Sequence, residues 1–428
     1  MKWEYDLNEP PPLRTNIILG LQWAFIAIST IVILGKIVGN LHFGESEDQI
    51  LYLQKLFFLT GVTLLAQCLW GHRLPLISGP AAVLLIGIIS SQGFQISAVN
   101  SSMMIGGAFI GILAATGLFH FFRRFFTARI ICVVLLLIVF TLAPAIQNLI
   151  VGTESGIDPF YNITFAILLA FVMFLFYQAL SGIWKTILIV CSIALGSVVY
   201  FLIFPDSFNK DAITQGSWIG FFFRDLTIRP VLDPGVLLSF LICYLALSVN
   251  DFGSIQSLNE MLDPDRKDRR INRGLALTGI ANLASGFFGV IGPVNYSLSP
   301  GVIASTRCAS RYPLFPAALF IILFSPFPRL IGFLGCVPSV VIGGVMIYIM
   351  ASQVSAGLSI FVQDCRQAAI SFKSGIIIGM PILLGNLIAF LPAQALERIP
   401  LVLHPVLGNG FVVGVISALF LEHIVFRE

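Results

Sequence analysis

The chain has 428 residues, 57% of them hydrophobic and 11% charged, with a formal net charge of +3. Soluble domains carry about 25% charged residues. With less than half that complement and a mean hydropathy of +0.95, this composition excludes a compact soluble protein and describes an all-α, polytopic membrane protein. The small charge, spread over loops, argues against a nucleic-acid surface. The seven cysteines are scattered without a CxxC or Cys/His cluster, so neither a metal site nor a disulfide framework is indicated.

The chain opens on MKWEYDLNEPPPLR, acidic and proline-rich, unlike the basic start of a cleaved signal peptide. A helical span takes about 20 apolar residues. Such stretches lie near 15–38, 50–70, 103–122, 130–151, 160–178, 184–204, 234–258, 271–291, 313–333, 337–352, 373–392 and 404–426. Two more, 74–92 and 292–306, are apolar but interrupted, which brings the segments to fourteen. Lys and Arg gather on the termini and even-numbered loops (Arg123, Arg124, Arg129, Arg266, Lys267, Arg269, Arg270, Arg273), while the odd-numbered loops hold only Lys210, Arg224, Arg229, Arg329 and Arg398. That asymmetry orients both termini towards the cytoplasm of an inner (plasma) membrane protein. Asn100, Asn162 and Asn295 head N-x-S/T sequons, which carry no weight without a secretory route.

The longest loop, 205–231, divides the segments seven plus seven. Because seven is odd, the second half enters the membrane in the opposite sense, an inverted repeat of the kind found in transporters. The interrupted segments are the third of each half: LPLISGPAAVLL (74–85) and GPVNYSLSPGVI (292–303). Irregular chain at membrane depth persists only where protein or a wet cavity surrounds it. Breaks are expected at Gly79-Pro80 and Pro300-Gly301, where proline removes an amide donor and glycine permits close approach. Two short extended strands meeting there would present free amides and half-helix N-termini to a polar solute. Candidate contacts are Gly79, Pro80, Ala81 and Ala82 from the first, and Tyr296, Ser297, Leu298 and Ser299 from the second. The plainer reading is a pair of kinked helices or re-entrant turns without a ligand.

In span eight, Asn250, Gly253, Ser254 and Ser257 form a polar stripe on one helical face. Asp251 lies beside it near mid-helix. An intramembrane carboxyl is costly to bury, so Asp251 is the candidate for ion coupling. Its alternatives are a higher position in a cytoplasm-facing cavity, or permanent protonation. Segment nine carries Gly274, Thr278, Ala281, Asn282, Ser285 and Gly289 along one face, read as close helix packing. The run DPDRKDRRINR (263–273) reads as a solvated cytoplasmic loop. Gln22 falls in the first span, where its amide needs a hydrogen-bond partner. Paired carboxylates, a Ser/His/Asp arrangement and a glycine-rich phosphate loop are all absent from the sequence, which reads as a non-enzyme without a cofactor or metal.

Several stretches, in order and spacing, resemble the nucleobase–ascorbate transporter family, which includes bacterial uracil and xanthine permeases. They are PPLRTNIILGLQW at span one, HRLPLISGP before segment three, ASGFFG (284–289), GVIASTRCASRYP (301–313) and VPSVVIGGV (337–345). The resemblance implies a core domain (1–127 and 232–334) carrying solute against a gate domain (128–204 and 335–428), joined by an extracytoplasmic linker at 205–231. It also implies a homodimer through the gate and coupling to H+ or Na+. Solute is expected between the strands, held by a carboxylate from span eight and an acid or amide from segment ten. This chain departs from the pattern at its most specific places. Trp23 stands where the family has His after Gln22, Asn250 where it has Glu, Leu298 and Ser299 where it has an acid or amide and Asn, and Ala82 where an aromatic often stacks. Gly301, Thr306 and Arg307 match. The expected function is secondary transport of a nucleobase or similar planar heterocycle by an elevator-like movement. The alternatives are a carrier of small anions on the same fold, or a non-transporting membrane protein whose site has decayed.

Overall fold

The computed structural model describes residues 3–119, 121, 124–152, 157–207, 217–365, 372–392, 395, 399–400 and 403–426. Apolar runs flanked by charge form the first two helices, α1 (Leu13–His42) and α2 (Ser46–Leu69). Glu47 and Asp48 occupy the first turn of α2, where the exposed amides favour negative charge. Next come strand β1 (Ser78–Pro80), the short helix α3 (Ala82–Ser90) and α4 (Ile96–Ala115). Three more helices complete the first part of the chain: α5 (Ala128–Val151), α6 (Pro159–Ala179) and α7 (Leu188–Ile203). The second part runs through α8 (Pro234–Leu262), α9 (Lys267–Phe288), β2 (Pro293–Asn295), α10 (Ser299–Thr306), α11 (Leu314–Phe324), α12 (Pro328–Gly335), α13 (Ser339–Cys365), α14 (Phe372–Ala389) and α15 (Gly410–Phe420). Among the described residues, eight helices are long and apolar enough to cross a membrane, or nine if a bent pair counts as one span.

Three expected spans take a different form. The stretch read as 103–122 is the helix Ile96–Ala115. Its first turns hold Ser97, Asn100, Ser101 and Ser102, which lower the hydropathy; Asn100 and Ser101 find partners within the protein. Asn100 Nδ2 donates to Thr227 Oγ1 at 3.0 Å, and Ser101 Oγ to the Ser97 carbonyl at 2.6 Å. The stretch read as one span at 313–333 is α11 and α12, bent by 99°. Pro326 and Pro328 lie at the break, and proline cannot continue a helix from the preceding turn. The last stretch, 404–426, divides at Asn409, which N-caps α15 by accepting from the amides of Phe411 and Val412.

Packing follows the small residues. Helix α4 lies backbone to backbone against α9: a Cβ on Gly107, Gly279 or Gly286 would collide with main-chain atoms of the opposing helix. Helices α1, α2 and α11 pack together, and α8 packs on α3 and α4. A second set gathers α13, α14 and α15 around α5, with α6 and α7 against α13. The outer surface of that second set is large and apolar: Phe171, Leu175 and Leu195 are each about two-thirds exposed, as lipid-facing side chains are.

The two strands pair antiparallel deep in the first set, with Ser78 opposite Asn295, Gly79 opposite Val294 and Pro80 opposite Pro293. Antiparallel ladders alternate bonded and non-bonded pairs. Tyr296 N donates to the Ile77 carbonyl at 2.9 Å and Ala81 N to the Gly292 carbonyl at 2.9 Å. The alternation therefore puts Pro80 and Pro293 at non-bonded positions, where a missing amide costs the ladder nothing. The second break is displaced from its expected place. It falls at Pro293–Asn295, whereas Pro300 and Gly301 sit in the first turn of α10. A helix tolerates proline there because that amide has no intrahelical partner.

Candidate solute site at the strand pair

Side chains from three helices, α2, α8 and α9, fix the strands. Asn295 stands at a non-bonded position, so its amide points out of the ladder, and it donates to Asp251 Oδ1 at 3.1 Å. Ser78 Oγ donates to Asn295 Oδ1 at 2.5 Å. On α9, Asn282 Nδ2 donates to the carbonyls of Pro293 and Thr278, both at 2.8 Å, while its Oδ1 accepts from Tyr244 Oη at 3.1 Å. Tyr52 Oη of α2 accepts from Ile291 N at 3.0 Å. Gln67 Nε2 reaches Thr278 Oγ1 at 3.0 Å, and Asn295 Nδ2 reaches the same oxygen at 3.5 Å. All of these polar groups are buried, so each bond replaces one that water would have made.

The other side of the strands is more open. Tyr296 leans back over Gly79 and donates from its hydroxyl to the Pro80 carbonyl at 2.8 Å. Ser297 and Leu298 are exposed, and so are Gly301 and Ala304 on α10 and Gly253 and Ser257 on α8; Asn250 is half-buried on the same face of α8. A Cβ on Gly253 or Gly301 would meet no atom within 4 Å. This exposed face of glycine, serine and alanine contrasts with the Phe and Leu surface of α6 and α7. It has the composition of a wetted cleft rather than of a lipid contact.

The candidate residues divide between these two sides. Asn250, Tyr296, Ser297 and Leu298 border the open face. Gly79 and Pro80 form β1, under the Tyr296 ring. Ala81 and Ala82 start α3, but the Ala81 amide is taken by Gly292. Ser254 is buried and donates to its own helix at the Asn250 carbonyl, 3.0 Å away. Ser299 is buried too; its Oγ accepts from Ile77 N at 3.1 Å and donates to the Tyr296 carbonyl at 3.0 Å, so it pins β1 to the start of α10. Gln22 is buried on α1, which packs against β1. The amides of Ala81, Asn295 and Tyr296 are not open to a guest, because ladder and carboxylate occupy them.

Asp251 stands apart from the open face. It lies at mid-helix and is fully buried, with its carboxylate behind β2 rather than in a cavity. Its second oxygen, Oδ2, has no protein partner among the described residues. The structure also brings forward residues that spacing had assigned to packing or passed over. Asn282 and Thr278 belonged to a small-residue face and Asn295 to a sequon. The available signal was the amide itself, since a buried Asn needs partners for both donor and acceptor. Replacing Asn282 with alanine strands the Pro293 carbonyl and the Tyr244 hydroxyl. Unpaired buried groups cost about 1–3 kcal/mol each, so Asn282→Ala is expected to lower stability by about 2–6 kcal/mol, read as a fall in Tm of the purified protein in detergent.

Comparison with known proteins settles the family. A sequence model described as a permease family matches residues 14–394. The chain belongs to this permease family. A putative purine permease of Bacillus subtilis is 25% identical to it, over 94% of each chain. A xanthine permease of the same organism is 22% identical, over 94% of this chain and 92% of its own. Among solved structures, the transmembrane domain of the cyanobacterial bicarbonate transporter BicA superposes with a TM-score of 0.60, covering 88% of the permease and 96% of that domain. At 16% identity that likeness concerns the fold alone. The permease is thus a multi-pass membrane protein of a transport family rather than of an enzyme family, as the sequence motifs implied.

Proposed function

We propose that this permease carries a nucleobase or similar small planar heterocycle of the uracil, xanthine or purine type across the plasma membrane. The family match across residues 14–394 carries the reading. The relatives named as purine and xanthine permeases support the solute class. In this reading the chain comprises fourteen segments in a seven-plus-seven inverted repeat, with both termini cytoplasmic and segments three and ten broken at the strands. The core (1–127 and 232–334) rises and falls against the gate (128–204 and 335–428), two copies joining through the gate. The separate packing of α1–α4 with α8–α11 and of α5–α7 with α13–α15 supports that division.

Solute sits on the open face, against Tyr296 and Ser297 and the polar edge of α8 at Asn250. A site that hydrogen-bonds a polar edge rejects analogues lacking it. With Asn250 in place of a carboxylate, the permease offers this edge both a donor and an acceptor without a charge. Uptake of labelled xanthine, uric acid and uracil by proteoliposomes tests the assignment, with sulfate and short carboxylates as competitors. Saturable uptake of one base, competed by other bases, is expected. Uptake competed only by the anions would replace this reading with an anion carrier.

Coupling to H+ or Na+ runs through Asp251, and indirectly. The carboxylate does not touch solute; it grips the outward amide of β2, so a change in its charge changes how firmly that strand is held. Charge-assisted hydrogen bonds are roughly twice as strong as neutral ones, so loss of the charge loosens Asn295. In Asp251→Asn, uptake is expected to lose its dependence on pH or on the sodium gradient while some solute binding persists. A variant that keeps the wild-type dependence removes Asp251 from the coupling step.

A further inference from the structure

Three arginines converge on the end of α2 and the chain just beyond it. Arg73 Nε donates to the Leu69 carbonyl at 2.8 Å, and Arg311 Nη1 to the Cys68 carbonyl at 3.2 Å. Arg270 Nη1 donates to the carbonyls of both His72 and Arg73, at 2.9 and 3.0 Å, and its Nε to the Asp265 carbonyl at 3.0 Å. Every acceptor is a backbone carbonyl.

None of the three takes part in an ion pair among the described residues, where the pairs are Arg129–Glu422, Arg224–Glu47, Arg224–Asp225 and Lys267–Asp263. Burial lowers the Arg270 pKa below its ordinary value, and repulsion from Arg311 and Arg73 adds to the effect; the opposing attraction of Asp265 is the weakest influence. The N-terminal segment runs along Arg307–Arg311 through backbone bonds from Glu4 N to the Arg307 carbonyl and from Ala309 N to the Tyr5 carbonyl. It brings Glu4, Asp6 and Glu9 to this end of the molecule, yet none of them pairs with an arginine there, and Glu9 is engaged with the Asp6 amide.

Capping the C-terminus of α2 does not account for so much charge. A helix end carries about half a negative charge, which a single arginine more than neutralises, leaving roughly two positive charges in excess. Arg311 Nε is enclosed and has no partner, although Arg311 is only partly exposed. Arg73 holds a left-handed backbone, φ 55°, which is costly for a residue with a side chain. Planar guanidinium forks match the geometry of phosphate oxygens. The charge asymmetry of the loops assigns this end to the cytoplasm, where anionic headgroups lie at the same depth.

We propose that Arg73, Arg270 and Arg311 form a binding site for a phosphate-type oxyanion, supplied by a lipid headgroup or by free phosphate. The site does not depend on which solute the permease carries. Its consequence is mechanical. Arg73 leads into the chain that becomes β1, Arg311 follows α10, and Arg270 opens α9, so one bound anion fastens the approaches to both strands.

The test is thermal unfolding of the purified full-length protein in neutral detergent. One arm compares inorganic phosphate with chloride at matched ionic strength. The other adds phosphatidylglycerol or phosphatidylcholine to the micelles. A saturable rise in Tm of about 2 °C or more is expected in one arm, and that arm identifies the source. The rise should vanish in the R270Q/R311Q double variant. Should that variant fail to fold, R73Q serves, because the Arg73 side chain is exposed; the titration midpoint should then move by about tenfold or more, the loss of one charge-assisted bond. R269Q, exposed and outside the cluster, should leave both rise and midpoint unchanged. Equal Tm values in phosphate and chloride and in the two lipids overturn the proposal, and so does a rise lost to the same extent in R269Q.

Discussion

Gly79→Ala is expected to lower uptake by about 10- to 100-fold while the protein still folds, and the reason lies in one contact. A Cβ at Gly79 would stand 2.5 Å from the Tyr296 hydroxyl and 2.8 Å from two ring carbons. Gly79 is hydrogen-bonded in register with Val294 on the opposite strand and cannot retreat. Tyr296 is the movable partner, so its ring must swing away. It then loses its bond to the Pro80 carbonyl and turns towards the face where Ser297 and Leu298 are exposed. Losing one buried hydrogen bond and obstructing the cleft together amount to about 1.4–2.7 kcal/mol, which is the stated fold-change. The contact predicts a non-additive pair as well. In the Tyr296→Ala background, where the ring is gone, adding Gly79→Ala should cost almost nothing further. Uptake of labelled base by all four proteins measures the coupling. Simple additivity of the two losses would show that Gly79 and Tyr296 act separately, and the contact would carry no weight.

The features legible in the sequence are those whose cause is local. Hydrocarbon thickness demands long apolar runs, so most expected spans lie within a few residues of the helices. Sequence and structure differ where burial inside the protein replaces lipid. Ser97 and Asn100 look like loop residues only until their partners are visible, and 313–333 looks continuous only until its prolines bend it. Gly79-Pro80 fell in the strand β1, and glycine and proline in sequence suit no helix interior. Pro300-Gly301 did not, because the same pair fits a helix's first turn, and only pairing with β1 identifies Pro293–Asn295 as the partner.

Asp251 illustrates the remaining limit. Its cost of burial was readable from type and depth, whereas its direction depends on β2, a segment 44 residues away in the chain. The same holds for the hydrogen-bonding role of Asn282. Spacing put it on the small-residue face of α9, and so it is; what spacing could not tell is that Pro293 and Tyr244 lie opposite. The family departures divide the same way: Asn250 and Leu298 border the open face, whereas Trp23 and Ser299 are buried, and Ser299 itself helps to hold β1.

Gly279→Val is expected to leave no well-folded protein, and it is the severest single change the fold predicts. A Cβ at Gly279 would collide with the backbone amide and Cα of Gly111 and with the Gly107 carbonyl, and one at Gly107 with the amide of Leu283. These neighbours are main chain on another helix, so no rotamer relieves the overlap. Close approach through small residues is what holds membrane helices together, since lipid is as apolar as their side chains. Valine adds three carbons where none fits, and overpacking costs about 1–3 kcal/mol even when side chains can adjust. Here the two helices must part, and α9 carries Asn282 and Thr278, so the strands lose their support as α4 and α9 separate. Gly253→Val is the control, because a Cβ there meets nothing within 4 Å. Size-exclusion profiles and Tm of both variants in detergent decide the matter. A monodisperse Gly279→Val protein with wild-type Tm would mean that α4 and α9 do not touch along this face, and the buried network that positions β2 would need another foundation.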